Sequence, residues 1–182
     1  MKFLKTLGVI TLCIIIIFSV GCSSVKNSSD SRKLKKKQFE IEYPRDWKRF
    51  GLYGYYYLRP KSYDSEVVNI ELNNISLVNK VITKAPQENY FDVLEKHVKS
   101  PENGENKFTF NIEKLSESST FLYRIDYYRT FKNFDGVFKV KEYFYETNDG
   151  LTFISVQFEK RLYEVYEKDI DAIVNSFKVR GL

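Results

Sequence analysis

The stretch TFLYRIDYYRTFKNFDGVFKVKEYFYETNDGLTFISVQFE, residues 120–159, decides the fold. Aromatic and β-branched residues recur at alternate positions over 120–131, 137–145 and 151–159, the period of a strand with one buried face. Asn133-Phe134-Asp135-Gly136 and Asn148-Asp149-Gly150 separate the three runs and supply residues that tolerate positive φ in tight turns. Strands joined so briefly have to run antiparallel, so this part of the chain is a meander.

On its N-terminal side the same signal recurs. Phe39-Glu40-Ile41-Glu42-Tyr43 alternates strictly before Pro44, and further runs fall at 54–59, 67–78 and 108–114. Two segments follow a helical period instead. After Ala85-Pro86, Tyr90, Phe91, Leu94 and Val98 recur at helical spacing until Ser100-Pro101. Near the C-terminus, Leu162, Val165, Tyr166, Ile170, Ile173, Val174 and Phe177 form one apolar stripe, with Glu164, Glu167, Lys168 and Asp171 on the wet face. The chain therefore reads as α+β, an antiparallel meander sheet of about six or seven strands with flanking helices.

The first 21 residues have a different character. Lys2 and Lys5 make a positive start, 7–18 is an apolar core, and the small pair Gly21-Cys22, with Val20 an acceptable residue before it, is the processing point. An apolar run of about 12 residues engages a secretion channel but falls short of the roughly 20 that span a bilayer. Ser19 stands where a lipoprotein signal usually has an aliphatic residue. The layout predicts a lipoprotein signal peptide over 1–21 and lipidation of Cys22, whose thiolate takes a diacylglycerol. An ordinary secretory peptide and an uncleaved anchor are the alternatives, and both also put the body outside the cytoplasm. Cys13 lies in the segment to be removed, so the body would hold neither a disulfide framework nor a cysteine-based zinc site.

Residues 22–38 read as a flexible basic tether, small and polar up to Ser31 and ending in Arg32-Lys33-Leu34-Lys35-Lys36-Lys37. The pI of about 9.0 would suggest nucleic acid. The excess charge, however, sits in the leader and this tether. Residues 39–182, read as a single domain, hold 21 basic and 23 acidic residues, so a nucleic-acid surface on the fold loses its main support. A basic run beside a lipid anchor is suited to anionic headgroups.

Phe39-Glu40-Ile41-Glu42-Tyr43-Pro44 followed by Trp47, then Asn74-Ile75-Ser76-Leu77-Val78, a helix from near Gln87 containing Tyr90, the strand series and Ile173-Val174-Asn175-Ser176-Phe177-Lys178 together resemble PsbP-like proteins. These are relatives of the extrinsic PsbP subunit of photosystem II. The resemblance runs over about residues 39–179. It implies a central antiparallel sheet flanked by helices and a family without a common enzymatic activity, whose better-known members act as accessory or assembly proteins on larger complexes. It carries no functional residue across, because the matched positions are structural, and it does not imply a photosynthetic role.

The residues themselves offer no catalytic set. The one histidine, His97, falls at the edge of its helix's apolar stripe, and its helical neighbours supply neither a carboxylate nor a second His. No nucleophile elbow or phosphate-cradling glycine loop is present. Glu40/Glu42, Glu88/Asp92 and Asp169/Asp171 are acids at ordinary solvated spacing. Asp135-Gly136 and Asp149-Gly150 do not extend into a calcium loop. No cofactor, no metal and no enzymatic activity are expected.

Tyrosine is the unusual component, with Tyr53, Tyr55, Tyr56, Tyr57 and Tyr63 close together and Tyr123, Tyr127, Tyr128, Tyr143 and Tyr145 on later strands. Strand propensity accounts for most of them as core or cross-strand packing. Alternation puts Tyr55 and Tyr57 on one face and Tyr56 on the other, so Tyr53, Tyr55 and Tyr57 form the candidate partner surface. The leading functional reading is a membrane-anchored cell-envelope lipoprotein acting as a non-catalytic accessory or binding module for an envelope protein or complex. A small-ligand or glycan binder is the alternative, and a hydrolase the weakest reading.

Overall fold

The structure is a computed structural model that describes residues 30–52, 55–61, 72–84, 90–100 and 105–180. The compact body runs from Ser31 to Leu182. Its strands are β1 (Ser31–Lys35), β2 (Phe39–Pro44), β3 (Trp47–Leu52), β4 (Tyr55–Pro60), β5 (Asn74–Thr83), β6 (Glu105–Lys114), β7 (Tyr123–Phe131), β8 (Phe134–Thr147), β9 (Gly150–Glu159) and β10 (Lys178–Val179). Helix α1 (Phe91–Lys99) precedes β6, and helix α2 (Lys160–Asn175) follows β9.

Seven strands form one antiparallel sheet in the order β3-β4-β5-β9-β8-β7-β6. The chain lays down β3 to β5, crosses with α1 to the far edge, and returns through β6 to β9 until β9 pairs with β5. The expected meander is thus two meanders meeting at the centre. The second tight turn, Asn148-Asp149, sits as expected, with Gly150 following at φ 131°. The first is displaced: Phe131 pairs with Phe134, so the turn is Lys132-Asn133, and Gly136 at φ 125° lies inside β8.

A second sheet, β1-β2-β10, corrects the expected boundary of the tether. Residues 31–35 are a strand of the body. Leu34 is buried opposite Ile41, while Lys33 reaches Glu40 at 3.0 Å and Glu42 at 2.8 Å. The alternation of β2 puts its glutamates on one face, where the lysine run neutralises them. Lys33 holds both carboxyls below the usual glutamate range. The charge run looked like a linker because Leu34 is its only apolar residue. The body from Ser31 accordingly holds 26 basic and 23 acidic residues and is slightly positive.

Helix α2 and the small sheet pack on one face of the large sheet, joining Trp47, Leu58, Ile75, Ile154, Val156 and Phe158 to Tyr163, Ile170, Ile173 and Phe177. Helix α1 packs on the other face through Tyr90, Leu94 and Val98 against Ile125, Val140, Phe144 and Phe153. Two side chains depart from the expected stripes. Val165 is 68% exposed, and Tyr163 takes its place in the core; Phe91, in the first turn of α1, is 43% exposed. A helix that meets a sheet along a narrow contact buries only the residues on the seam, and the flanks of its apolar arc remain wet.

Candidate interaction surface

Each helix covers only part of a sheet face, and the face under α1 stays open on β3 and β4 among the described residues. Trp47, the first residue of β3, points to the α2 side, where it is fully buried and its indole N–H donates to Asp169 Oδ2 at 3.3 Å. Alternation then turns Lys48 and Phe50 to the opposite side. In β4 the same rule turns Tyr55, Tyr57 and Arg59 with them. Phe50 stands opposite Tyr57, their rings stacked 5.0 Å apart at 12°, and the Arg59 guanidinium lies 4.8 Å above the Phe50 ring. Phe50 is 36% and Tyr55 38% exposed.

Tyr56 faces the α2 side, as alternation requires, and packs against the core with its ring edge-on to Phe39. Gly51 stands opposite it, and a Cβ there would lie 3.3 Å from the Tyr56 ring, so glycine makes room for the ring. Of the expected partner surface, Tyr55 and Tyr57 therefore share a face, while Tyr53 and the lipidation candidate Cys22 lie outside the described residues. The sequence reading names neither Phe50 nor Arg59, because its strand runs pass from 39–43 to 54–59 and omit β3. No apolar alternation marks β3, because Trp47, Arg49 and Gly51 fall on one face and Lys48 and Phe50 on the other.

One row of directly paired side chains crosses all seven strands on this face: Phe50, Tyr57, Ser76, Ser155, Glu142, Ile125 and Ile112. Its far half lies under α1. There Glu142, 5% exposed, receives the Tyr127 hydroxyl at 3.1 Å on one oxygen and meets His97 Nε2 at 2.9 Å on the other. The His97 ring is edge-on to Phe144 and tilted against Phe153. The carboxylate that His97 lacks one turn away on its own helix is supplied by the sheet. Immediately before α1, the Tyr90 hydroxyl donates to Glu146 Oε1 at 2.6 Å. These contacts pin α1 to β8 at both ends, which is a structural use of the acids.

On the α2 side, Tyr163 lies under two cations from β8, with Lys139 Nζ 3.9 Å and Lys141 Nζ 5.2 Å from its ring centre. Its buried hydroxyl has no hydrogen-bond partner among the described residues. Burial pushes the hydroxyls of Tyr143 and Tyr163 well above the usual tyrosine range. Burial likewise raises Tyr145 to about 12, against a hydrogen bond with Thr152 that lowers it. A cavity of about 180 Å³ lies between the β8–β9 turn and the end of β10, lined by Lys37, Gln38, Asn148, Asp149 and Arg180. Ligand pockets run to about 300–1,000 Å³. Among the described residues no three His, Cys, Asp or Glu side chains cluster as a metal site.

A comparison with solved structures finds the solution structure of cyanobacterial PsbP (CyanoP) from Synechocystis sp. PCC 6803, with a TM-score of 0.57 over 88% of this chain and 99% of that one. The fold is PsbP-like. Sequence identity is only 14%, so the likeness is one of architecture. No protein-family model and no curated protein matches the sequence. The PsbP-like fold accommodates both the open β3–β4 face and the polar seam beneath α1 in this chain.

Proposed function

We propose that this chain is a lipid-anchored lipoprotein of the bacterial cell envelope, tethered through Cys22, and that its PsbP-like body is a non-catalytic accessory or binding module. Its partner is an envelope protein or complex. The observation that carries this reading is the open platform of Phe50, Tyr55 and Tyr57, with Arg59 over one ring. Aromatic rings and arginine are the residue types that dominate the energetic centres of protein interfaces. Stacking holds Phe50 and Tyr57 in place before any partner arrives, which lowers the ordering cost of binding.

The leader and Cys22 supply the address. A diacylglycerol on the cysteine with an acyl chain on the new N-terminus gives two signals, and one chain alone would bind only reversibly. Growth of cells in a labelled fatty acid, followed by membrane fractionation, tests the anchor. Label in the wild-type protein and none in Cys22→Ser, with the body reached by protease from outside the cytoplasm, is the expected result. An unlabelled wild-type protein overturns it.

A further inference from the structure

The body's positive charge is concentrated where the chain from Cys22 joins it. Residues 45–61, which contain the β3–β4 hairpin, hold five basic residues and one acid, whereas residues 62–182 hold 16 basic and 20 acidic ones. Ser31, where the body begins, stands opposite Pro44, one residue before Arg45. The base of the hairpin lies just beyond it. Trp47 pairs with Pro60, Lys48 with Arg59, and the Lys61 N–H donates to the Asp46 carbonyl at 2.7 Å. Arg32, Arg45, Arg49 and Lys61 are exposed, and Lys48 and Arg59 are half-buried. Among the described residues no carboxylate pairs with Arg32, Lys48, Arg59 or Lys61. Asp30, two residues before Arg32, Asp46, two before Lys48, and Asp64, three after Lys61, are the acids nearest in the chain, and the Trp47 indole holds Asp169.

We infer that the base of the β3–β4 hairpin is a membrane-facing surface, on which Arg32, Lys48 and Lys61 rest against the anionic headgroups of the bilayer that carries the anchor. This rests on the Cys22 reading proposed above. The interval from Cys22 to Ser31 is nine residues, and no chain of that length exceeds about 30 Å. The surface beside Ser31 is therefore the part of the body held within reach of the headgroups. Salt screens such contacts beyond about 10 Å, so proximity decides which cations count. The hairpin is six residues long, about 20 Å, and puts Phe50 and Tyr55 toward its other end. An anchored base leaves that aromatic end turned to a partner.

A second basic group, Lys37 and Arg180, sits at the β1–β2 turn, about 17 Å along β1 from Ser31. It makes the control. The mature chain from residue 22, carrying Cys22→Ser and so free of lipid, is sedimented with phosphatidylcholine vesicles with and without about 30 percent phosphatidylglycerol. Binding to the anionic vesicles alone, abolished by high salt, is expected. Each headgroup-facing cation is worth roughly a fivefold change in partition. Lys48→Glu with Lys61→Glu then binds at least tenfold more weakly, while Lys37→Glu with Arg180→Glu, of equal net charge, binds like the parent. Lys48→Gln with Lys61→Gln gives the intermediate loss if the reversed pair fails to fold by near-ultraviolet circular dichroism. No binding of the parent to anionic vesicles, or equal losses in the two matched variants, overturns the inference. Neither result touches the labelled-lipid test, which reads the anchor alone.

Discussion

Tyr57 and Glu142 occupy the same cross-strand row on the same sheet face, three strands apart, or about 14 Å. One is stacked in the open beside Phe50, and the other is closed under α1 by His97 and Tyr127. The difference is made by the helix, which covers one half of the face and leaves the other for contact.

Removal of the histidine should loosen α1. His97→Leu leaves the Glu142 carboxylate with the Tyr127 hydroxyl on one oxygen in a nearly closed site, and a loss of about 1–3 kcal/mol is expected in urea unfolding at neutral pH. His97→Gln, which keeps a donor, should lose clearly less. Equal losses would mean that packing against Phe144 and Phe153, not the hydrogen bond, is what the ring supplies.

Tyr163→Phe should behave in the opposite way. The hydroxyl it deletes is buried without a partner among the described residues, while the ring and its two lysines are retained. Stability unchanged or raised by up to about 1 kcal/mol is expected. A drop beyond that range in thermal or urea unfolding would show a hydrogen bond that this geometry lacks.

Alkaline pH should destabilise the body. Tyr143, Tyr145 and Tyr163 have hydroxyls raised by burial, Tyr145 to about 12, so the unfolded chain ionises first. Their contribution is complete below the ordinary tyrosine value of about 10 and is lost as pH climbs through the raised folded values. Urea midpoints should fall between pH 9 and 12, roughly, and Tyr145→Phe should flatten that fall. Phenolate absorbance gives an independent reading: three tyrosines should titrate late in the folded protein and normally in urea.

Among the described glycines, Gly150 is the least replaceable. At φ 131° it starts β9, and a Cβ there would collide with the Thr83 carbonyl and lie 2.9 Å from Lys84 Cα. Gly150→Ala should cost about 2–4 kcal/mol, since backbone on both sides has to move. Gly51→Ala, whose Cβ would meet the Tyr56 ring and the Tyr55 carbonyl at 3.2–3.3 Å, should cost less.

Much of this architecture was legible in the period of the sequence. The alternation around Tyr123, Tyr143 and Phe153 predicts β7 to β9, and the apolar stripes predict both helices. The misses share a cause. In β1, Leu34 alone faces the core, and in β3 only Trp47 does, so neither strand offers two turns of alternation to count. Partners remote in sequence complete them: Ile41 and the acids of β2 for one, Leu58 and Tyr57 of β4 for the other. The carboxylate that meets His97 was out of sight for the same reason, because it comes from a strand 45 residues away. The aromatic platform was half visible, in Tyr55 and Tyr57, and its other half depended on recognising β3.

The central claim, that the open β3–β4 face docks an envelope protein, is tested most directly by cross-linking in intact cells. A photoreactive residue is placed at position 55, or at position 165 on the exposed flank of α2, in the lipidated protein and in Cys22→Ser. One envelope protein captured in near-stoichiometric yield from position 55, absent from position 165 and lost in Cys22→Ser, is the predicted result. No capture from position 55, or the same proteins captured from both positions, would contradict the account.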